Sequence, residues 1–347
     1  MAAGHPSQAD CRRAVRGVLP PVGVVLAAVS GGPDSLALAA ALAAEASSAT
    51  DLRAGAVVVD HGLQEDSAAV AQRAAAACRT LGLAPVTVVA ADATPRPGES
   101  LETAARRARY AAIEAVADEL GDGEPVTVLL GHTRDDQAEQ VLLGLARGSG
   151  ARSLSGMPAA RTVRTARGEV RLVRPFLTLP RATTLAACDA WGLDPWHDPH
   201  NTDRRHARVR ARAALAELEG VLGPGLADGL VRTADLLRAD ADLLDALTAA
   251  ARAALPGALD DGGVDAGTLA PLEPALRRRV LRVLLLEAGC PPGSLAVVHV
   301  DRVDALLVGW RGQGPADLPG GVRVARVDGR LHALAGPGAP PAPPGAV

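Results

Sequence analysis

The sequence predicts an α/β protein whose core is a doubly wound, mostly parallel sheet, followed by a second, smaller helical domain. Short apolar segments alternate with helical patterns over the first 150 residues, as expected for buried parallel strands and the helices that cover them. Three of these segments end in polar or glycine-rich stretches, Ser30–Ser35, Asp60–Leu63 and Gly131–Asp136. Because ligands bind at the carboxyl ends of the strands in such a sheet, the three stretches predict one ligand site.

Each predicted element of the first 150 residues has its own signal. The strands are short and apolar or β-branched, and they are Val22–Val29, Ala54–Asp60, Pro85–Ala90 and Pro125–Gly131. The helices repeat alanine and other apolar residues at helical spacing, and they are Leu36–Ala46, Ser67–Leu81, Glu99–Leu120 and Asp135–Arg147. Glycines end the first strand, and charged residues such as Glu102 and Arg106 are expected on the solvent side of the longest helix.

The pattern changes after Gly148. Arginines become frequent, and a helical pattern then runs from about Gly220 to Gly309. Asp328-Gly329 predicts the turn of a short β-hairpin beyond it. The segment 336–347 is rich in proline and glycine, a composition typical of disorder. These changes predict domain boundaries that separate residues 1–215, 216–312, 313–335 and 336–347.

The composition excludes several classes of protein. The 347 residues are 48% hydrophobic but only 1% aromatic, and the chain contains no lysine, so all 36 strongly basic side chains are arginine. The absence of lysine excludes a Schiff-base mechanism on the protein and a Walker-type phosphate loop, which needs a lysine. With a net charge of −3, any contact with nucleic acid depends on local basic patches.

The cysteines and the chain's hydropathy indicate the compartment. Cys11, Cys78, Cys188 and Cys290 form no Cys-x-x-Cys pair, so they give no support to a zinc or iron–sulfur site and are interpreted as free thiols of a reducing cytosol. We recognise no secretion signal, and no apolar stretch is long enough to span a membrane. We therefore expect a cytoplasmic protein with no membrane partner.

The stretch between the first strand and the first helix reads Ser30-Gly31-Gly32-Pro33-Asp34-Ser35. Its glycines let the backbone approach a ligand closely, and the following helix offers unpaired N–H groups and a positive dipole end to a phosphate. The serine hydroxyls can donate to phosphate oxygens, whereas Asp34 would repel phosphate unless a cation such as Mg²⁺ lies between them. A proline-containing turn with an aspartate helix cap is the alternative for this stretch alone.

Two further strand ends carry polar side chains. Asp60 and His61 follow the second strand, where they can face a nucleotide, although an ordinary polar strand end would look the same. The residues that cluster at the start of the helix after the fourth strand are His132, Asp135, Asp136 and Glu139. Acids are favourable in a first helical turn, but beside a phosphate loop they could also hold Mg²⁺ and orient a nucleophile.

The loop resembles the SGGxDS motif of the N-type ATP pyrophosphatases, the PP-loop family, and other segments resemble its tRNA(Ile)-lysidine synthetase branch in particular. These segments are VDHGL (Val59–Leu63), ARRARY (Ala105–Tyr110), HTRDDQAEQVLLGLARGSG (His132–Gly150), SGMP (Ser155–Pro158), RPFL (Arg174–Leu177) and DPHNTDRRHARVRAR (Asp198–Arg212). With the loop they cover roughly residues 22–212 in order. The departures are Gln64, Gln140 and His206, which stand where the family commonly has arginine, threonine and an aromatic residue.

The resemblance implies a Rossmann-like (adenine nucleotide alpha hydrolase-like) sheet and a ligase. The implied reaction joins free L-lysine to C2 of the wobble cytidine of a CAU-anticodon tRNA(Ile), through an adenylated cytidine, with ATP and Mg²⁺ as cofactors. On this basis residues 1–215 are expected to form the catalytic domain and 216–312 a tRNA-binding domain. Whether the chain forms a homodimer is left open.

The resemblance also implies roles for individual residues. The expected nucleotide-binding residues are Ser30, Gly31, Gly32, Pro33, Asp34, Ser35, Asp60 and His61, with Asp34 on Mg²⁺. The expected catalytic residues are Asp34, Arg109, His132, Asp135 and Asp136. The expected tRNA-binding residues are Arg174, Arg204, Arg205, Arg208, Arg210 and Arg212. A solvated helix face is the alternative for the arginines, including Arg106 beside Arg109, and Trp191 and Trp196 are interpreted as core residues.

Two other functions fit parts of this pattern. A tRNA 2-thiolase would share the loop, but such enzymes typically carry paired cysteines. A non-catalytic RNA-binding protein on a degenerate nucleotide fold would not need an intact Ser30–Ser35 loop and the Asp135-Asp136 pair. Release of pyrophosphate in the presence of lysine and tRNA would distinguish the three.

Overall fold

The computed structural model describes residues 5–47, 51–60, 62, 66–96, 99–196 and 203–334. The chain divides into two compact units, Met1–Arg238 and Ala239–Val347. The sequence suggested a boundary near residue 215, whereas the division falls inside a long helix, Leu226–Ala254. The residues of interest that lie outside the described part are His61, Gln64, His197, Asp198, Asn201 and the segment 336–347.

The first unit alternates strands and helices. Its strands are β1 (Gly23–Val29), β2 (Leu52–Asp60), β3 (Val86–Ala90), β4 (Val126–Leu130), β5 (Ala160–Arg164) and β6 (Glu169–Val173). Its helices are α1 (Pro6–Arg16), α2 (Pro33–Ala46), α3 (Ser67–Thr80), α4 (Leu101–Gly121), α5 (Arg134–Ala146), α6 (Ala151–Leu154), α7 (Arg181–Trp191) and α8 (Ala207–Leu222), and α9 (Leu226–Ala254) begins in this unit. The four predicted strands and four predicted helices are all present, with ends within three residues of the prediction.

The strands form one sheet in the order β3-β2-β1-β4-β6-β5. The pairs from β3 through to β6 are parallel, and only β5 is antiparallel to its neighbour. The strand order reverses between β1 and β4, because β2 and β3 lie on one side of β1 and β4 and β6 on the other. This is the doubly wound architecture that the sequence predicted, and its switch point lies between the carboxyl ends of β1 and β4.

The sheet separates two apolar cores. Along β1, Val25 and Ala27 face one core, which includes Leu38 of α2, whereas Val24 and Leu26 face the other, which includes Ile113 of α4. The two sets alternate because successive side chains of a strand point to opposite faces. All six residues are almost completely buried, so strand β1 is fixed from both sides and its carboxyl end is held in place.

The second unit has its own core and a small antiparallel sheet. Its strands are β7 (Val264–Asp265), β8 (Ala316–Asp317), β9 (Arg323–Val327) and β10 (Arg330–Leu334), and its helices are α10 (Ala266–Leu269), α11 (Pro274–Glu287) and α12 (Val297–Val308). The sheet order is β7-β10-β9-β8, so the sequence analysis, which expected helices and one hairpin, missed two strands. Each of these has two residues, too few to show a strand pattern. Among the described residues, no helix combines the length and apolarity needed to cross a membrane.

Candidate active site

A cavity of about 400 Å³ lies at the switch point of the sheet. Its polar lining comprises Ser30, Gly32, Asp34, Ser35, Arg109, His132, Asp136, Arg181, Arg208 and Arg212, and its apolar lining includes Ala28, Val57, Val59, Ile113, Leu130 and Trp196. Three sequence-predicted groups therefore meet here: the glycine-rich loop, the polar start of α5 and two of the arginines of α8. The lining can therefore contact both charged groups and a flat apolar group.

The loop after β1 leaves the start of α2 open. Gly31 has a φ of +85°, a conformation that favours glycine. Gly32 is the N-cap residue and has no side chain to cap the helix, so the first backbone N–H groups of α2 remain available to a ligand. Ser35 Oγ accepts from the backbone N–H of Ser30 at 3.1 Å and lies 3.3 Å from Ser30 Oγ, which joins the two ends of the loop.

The end of β4 lies against this loop. A Cβ atom at Gly131 would come within 3.0 Å of the Asp34 carbonyl oxygen, so a larger residue would push β4 and the loop apart. The lack of a side chain at Gly131 thus brings the residues that follow it, His132 to Asp136, next to the start of α2.

Arg181 connects three of the predicted carboxylates. Its Nε donates to Asp34 Oδ2 at 3.1 Å, its Nη2 donates to Asp136 Oδ1 at 2.8 Å, and its backbone N–H donates to Asp135 Oδ2 at 2.8 Å. Thr184 Oγ1 donates to the second oxygen of Asp34. Asp34, Asp135 and Asp136 are therefore held in one network by the start of α7.

The two cavity carboxylates of this network differ in pKa. Burial raises the pKa of Asp34 above its usual range, although Arg181 and Thr184 partly oppose it. For Asp136, burial acts in the same direction, but Arg181 and the backbone N–H of Thr133, which donates to Oδ2 at 2.8 Å, outweigh it and lower the pKa. Asp136 therefore stays ionised at neutral pH.

His132 is a neutral imidazole at the cavity wall. Burial lowers its pKa to about 3, the arginines Arg174, Arg109 and Arg106 add to the effect, and Asp136 opposes it. Its Nδ1 is buried and has no hydrogen-bond partner among the described residues. A neutral ring with a free nitrogen can exchange one hydrogen bond with a substrate.

Glu139 lies behind this wall, on α5. It is almost completely buried, and its Oε1 accepts from Arg212 Nε at 2.7 Å. Its Oε2 is buried and has no partner among the described residues, and burial raises its pKa despite Arg212. Arg212 thus lines the cavity and also contacts Glu139, whose Oε2 can still accept a hydrogen bond.

The arginines predicted to bind tRNA lie in different environments. Arg208 and Arg212 line the cavity from α8, whereas Arg205 precedes the helix, is highly exposed and pairs with Asp203 at 2.7 Å. The predicted shared helix face of positions 205, 208 and 212 is therefore reduced to the last two. Arg210 donates to the carbonyl oxygens of Arg204 and Arg205.

Arg174, expected to bind tRNA, and Asp60, expected to bind the nucleotide, are not among the residues that line the cavity. Arg174 is buried and donates to the Pro158 carbonyl at 2.8 Å and to the Tyr110 hydroxyl at 3.2 Å, so its side chain does not present a free surface to RNA. Asp60, at the end of β2, accepts from the backbone N–H of Gly62 at 3.0 Å and so closes a local turn. Trp191 packs against the core as interpreted, but Trp196 lines the cavity, and its backbone N–H donates to the Gly31 carbonyl at 2.9 Å.

Sequence reasoning missed Arg181, the centre of the carboxylate network. A signal was present, because arginine in the first turn of a helix opposes the helix dipole and so suggests a nearby acid. The signal was hidden because α7 itself was not predicted. Arg181 was instead counted with the other arginines between positions 147 and 181.

Comparison with known proteins agrees with this geometry. A family model described as a PP-loop domain matches residues 14–219, the part of the chain that carries the sheet, the glycine-rich loop and the cavity. A second model, described as the TilS substrate binding domain, matches residues 265–332, within the second unit. The fold and the loop together define a protein of the PP-loop class.

Relatives define the family more narrowly. The tRNA(Ile)-lysidine synthase of Salinispora arenicola is 52% identical over 95% of this chain and 97% of that protein. Those of Thermobifida fusca and Streptomyces coelicolor are 51% and 50% identical, over 92% and 90% of this chain and 94% and 86% of theirs. The chain belongs to the tRNA(Ile)-lysidine synthase family, which confirms the resemblance drawn from the motifs.

A solved structure supports the fold independently. The U34-tRNA thiolase NcsA from Methanococcus maripaludis, with its [4Fe-4S] cluster, has a TM-score of 0.55 and 20% sequence identity, over 67% of this chain and 78% of that one. At this identity the likeness concerns the fold alone.

Proposed function

We propose that this chain ligates free L-lysine to C2 of the wobble cytidine of a CAU-anticodon tRNA(Ile). In the first step the cytidine O2 attacks the α-phosphorus of ATP, and pyrophosphate leaves. In the second step the lysine ε-amine attacks C2, the C2–O bond breaks and AMP leaves, while the amine gives up a proton. The product, lysidine, pairs with A instead of G, so the tRNA reads AUA instead of AUG.

The observation that carries this proposal is the open helix N-terminus at the switch point, next to a cavity lined by both charged and apolar side chains. The free N–H groups of α2 and the serines of the loop suit a triphosphate. Val57, Val59 and Ile113 offer an apolar surface to a nucleobase. Positioning and charge stabilisation supply most of the catalysis in phosphoryl transfer, and both are available here.

Mg²⁺ is expected to arrive with the triphosphate. Among the described residues, no group of three or more histidine, cysteine, aspartate or glutamate side chains is arranged to hold a metal ion. Mg²⁺ commonly needs only one or two carboxylates when phosphates supply other ligands, and Asp34, which lines the cavity at the start of α2, fits that requirement. When bound, the ion would neutralise charge that develops on the leaving pyrophosphate.

Asp136 is the carboxylate best suited to attract the lysine substrate. It lines the cavity, and its lowered pKa keeps it ionised at neutral pH. A lysine ammonium drawn to this carboxylate must lose a proton before it can attack. Asp135 is next to Asp136 and accepts a hydrogen bond from the Arg181 backbone N–H. It is the candidate base that accepts this proton.

The proposal is tested by measuring pyrophosphate and AMP release from purified protein with Mg²⁺ and ATP. Release should require CAU-anticodon tRNA(Ile), and lysine incorporation into RNA should accompany it. The matched control is the same tRNA with uridine in place of the wobble cytidine, which should release no pyrophosphate. Equal release from both RNAs, or none from the CAU form, would contradict the proposal.

The cysteines argue against the thiolase alternative. Burial raises the pKa of Cys11 and Cys188 to about 12 and that of Cys78 to about 11. All four cysteines are buried, and a thiol of raised pKa is a poor nucleophile or metal ligand. A sulfur donor added in place of lysine should therefore yield no thiolated RNA.

ATP, tRNA and free lysine are all cytoplasmic, which is the location we propose.

A further inference from the structure

Four arginines surround Tyr110, the one tyrosine of the chain. The guanidinium carbons of Arg106, Arg109 and Arg161 lie 5.1, 5.6 and 5.0 Å from the ring centroid. Arg174 Nη2 donates to the tyrosine hydroxyl at 3.2 Å. Tyr110 therefore contacts arginines from three parts of the first unit through its ring and its hydroxyl. These parts are α4, β5 and the segment after β6.

Three of the four arginines lack a neutralising acid among the described residues. Arg161 pairs with Glu114 at 3.0 Å, but in the described part of the chain Arg106, Arg109 and Arg174 have no carboxylate at ion-pair distance. The Nε of Arg174 is buried without a hydrogen-bond partner. Burial, with the charges of Arg106 and Arg208, lowers the pKa of Arg109. Cations placed together without acids are costly unless an anion joins them.

The cluster continues into the cavity. Arg109 lines it, as does Arg208, whose charge acts on both Arg106 and Arg109. Arg106 and part of Arg161 are exposed to solvent, so the positive surface runs from the cavity wall outward. A ligand with several anionic groups, one inside the cavity and one outside it, would match this arrangement.

We propose that Tyr110 and its arginines form a binding site for a phosphodiester of the RNA substrate, next to the base that enters the cavity. Tyr110 is a positioning residue, and Arg106 and Arg109 are the groups that contact the phosphate. This inference rests on the proposed function for the identity of the RNA. The phosphates of ATP are expected at the loop on the first turn of α2, whereas the cluster extends from the cavity wall to the surface.

The test compares two neighbouring arginines of α4. Arg106 belongs to the cluster, whereas Arg107 pairs with Glu99 at 3.1 Å, so Arg106→Gln and Arg107→Gln remove the same charge from the same helix. Binding of a CAU anticodon stem-loop RNA is measured by fluorescence anisotropy over a range of salt concentrations. Arg106→Gln should weaken binding about tenfold, the effect of one charged hydrogen bond. The slope of log affinity against log salt should fall by about 0.7–0.9.

The role of Tyr110 has its own variants. Tyr110→Phe keeps the ring and loses the hydroxyl, so it should weaken RNA binding less than Tyr110→Leu, which loses both. The tyrosine also serves as a reporter, because Arg174, Arg106 and Arg109 lower its pKa although burial would raise it. Absorbance titration of the phenolate should show a higher pKa in Arg106→Gln and no change in Arg107→Gln, with Arg161 and its partner Glu114 intact in both.

The outcomes are distinct. Equal RNA affinity and equal salt slopes for Arg106→Gln and Arg107→Gln would overturn the proposal. So would a tenfold loss of Mg²⁺–ATP affinity in Arg106→Gln with RNA binding unchanged, since the anion would then belong to the nucleotide. Failure of the wild-type protein to form lysidine, with the RNA-binding contrast preserved, would contradict the proposed function and leave the phosphate site supported.

Discussion

One guanidinium holds the carboxylates of the candidate active site in place. Arg181 joins Asp34, Asp135 and Asp136 through its side chain and its backbone N–H. Its side chain contacts two cavity carboxylates. Asp34 is expected to bind Mg²⁺–ATP, and Asp136 is expected to bind lysine. Arg181 therefore sets both the positions and the charges of these groups before any substrate binds.

Replacement of Arg181 should affect turnover more than folding. Arg181→Gln removes two charged hydrogen bonds, so we expect kcat/KM for pyrophosphate release to fall by at least about 100-fold, with an intermediate loss for Arg181→Lys. The matched control is Arg134→Gln, which removes the 2.7 Å pair with Asp228 but no cavity contact. The expectation is wrong if Arg134→Gln and Arg181→Gln have equal turnover.

The sequence predicted the residue types of the site better than their partners. Ser30, Asp34, His132 and Asp136 were identified because each follows a strand, and strand ends meet at one edge of a parallel sheet. Arg181 and Tyr110 were not assigned roles, because their importance comes from contacts over long sequence separations. Such contacts depend on the packing of α7 against α2 and on the position of β5, which no local pattern encodes.

Among the helices, α1 shows how an ion-pair cluster fixes an element that the sequence analysis did not predict. Glu45 of α2 is buried and accepts from Arg12 at 2.6 Å and from Arg16 at 2.5 and 3.0 Å. Cys11 and Val15, on the same helix, are completely buried in the core. Helix α1 is short and rich in polar residues, so its pairing with Glu45 was not readable from periodicity.

Glu45→Gln should destabilise the protein in a pH-dependent way. The hydrogen bonds from Arg16, and the contacts of Arg12, lower the pKa of Glu45 although burial opposes them. The stabilisation is therefore complete above the ordinary glutamate value of 4.5 and is lost as the pH falls through the lowered pKa. At pH 7 we expect a loss of about 2 kcal/mol in the free energy of unfolding, measured by urea denaturation.

The control for Glu45 is on helix α1, which carries its partners Arg12 and Arg16. Asp10→Asn removes an exposed pair with Arg13 at 3.2 Å, and such pairs contribute less than about 0.5 kcal/mol. A difference between wild type and Glu45→Gln that persists unchanged at pH 3 would show that the ion pairs are not its source.

At the level of the whole chain, the two units have separate apolar cores. The core of the second unit includes Leu281, Leu284 and Val303, and none of its members belongs to the cores on either side of the first unit's sheet. The first unit was predicted more completely because its apolar strands β1 to β4, of five to nine residues, give a clear pattern. In the second unit, two-residue strands and a continuous helix across the division leave little signal for a boundary.

Separate cores predict separate consequences for ATP binding. Leu284→Ala in the second unit and Leu38→Ala in α2 each remove a completely buried leucine side chain and should each cost about 2–5 kcal/mol of stability. By isothermal titration at a temperature where both variants are folded, only Leu38→Ala should bind Mg²⁺–ATP more weakly. Equal ATP affinities for the two variants would contradict the assignment of the nucleotide to the loop before α2.

Among the described residues, the permanent cations that line the cavity are all guanidiniums: Arg109, Arg181, Arg208 and Arg212. A guanidinium keeps its proton at any physiological pH and so has no free electron pair with which to attack. If an electrophilic, activated RNA base forms here as proposed, no neighbouring side-chain amine among the cavity's cations can react with it. The protein can surround a reactive intermediate with positive charge and still leave the bond-forming step to an amine from solution.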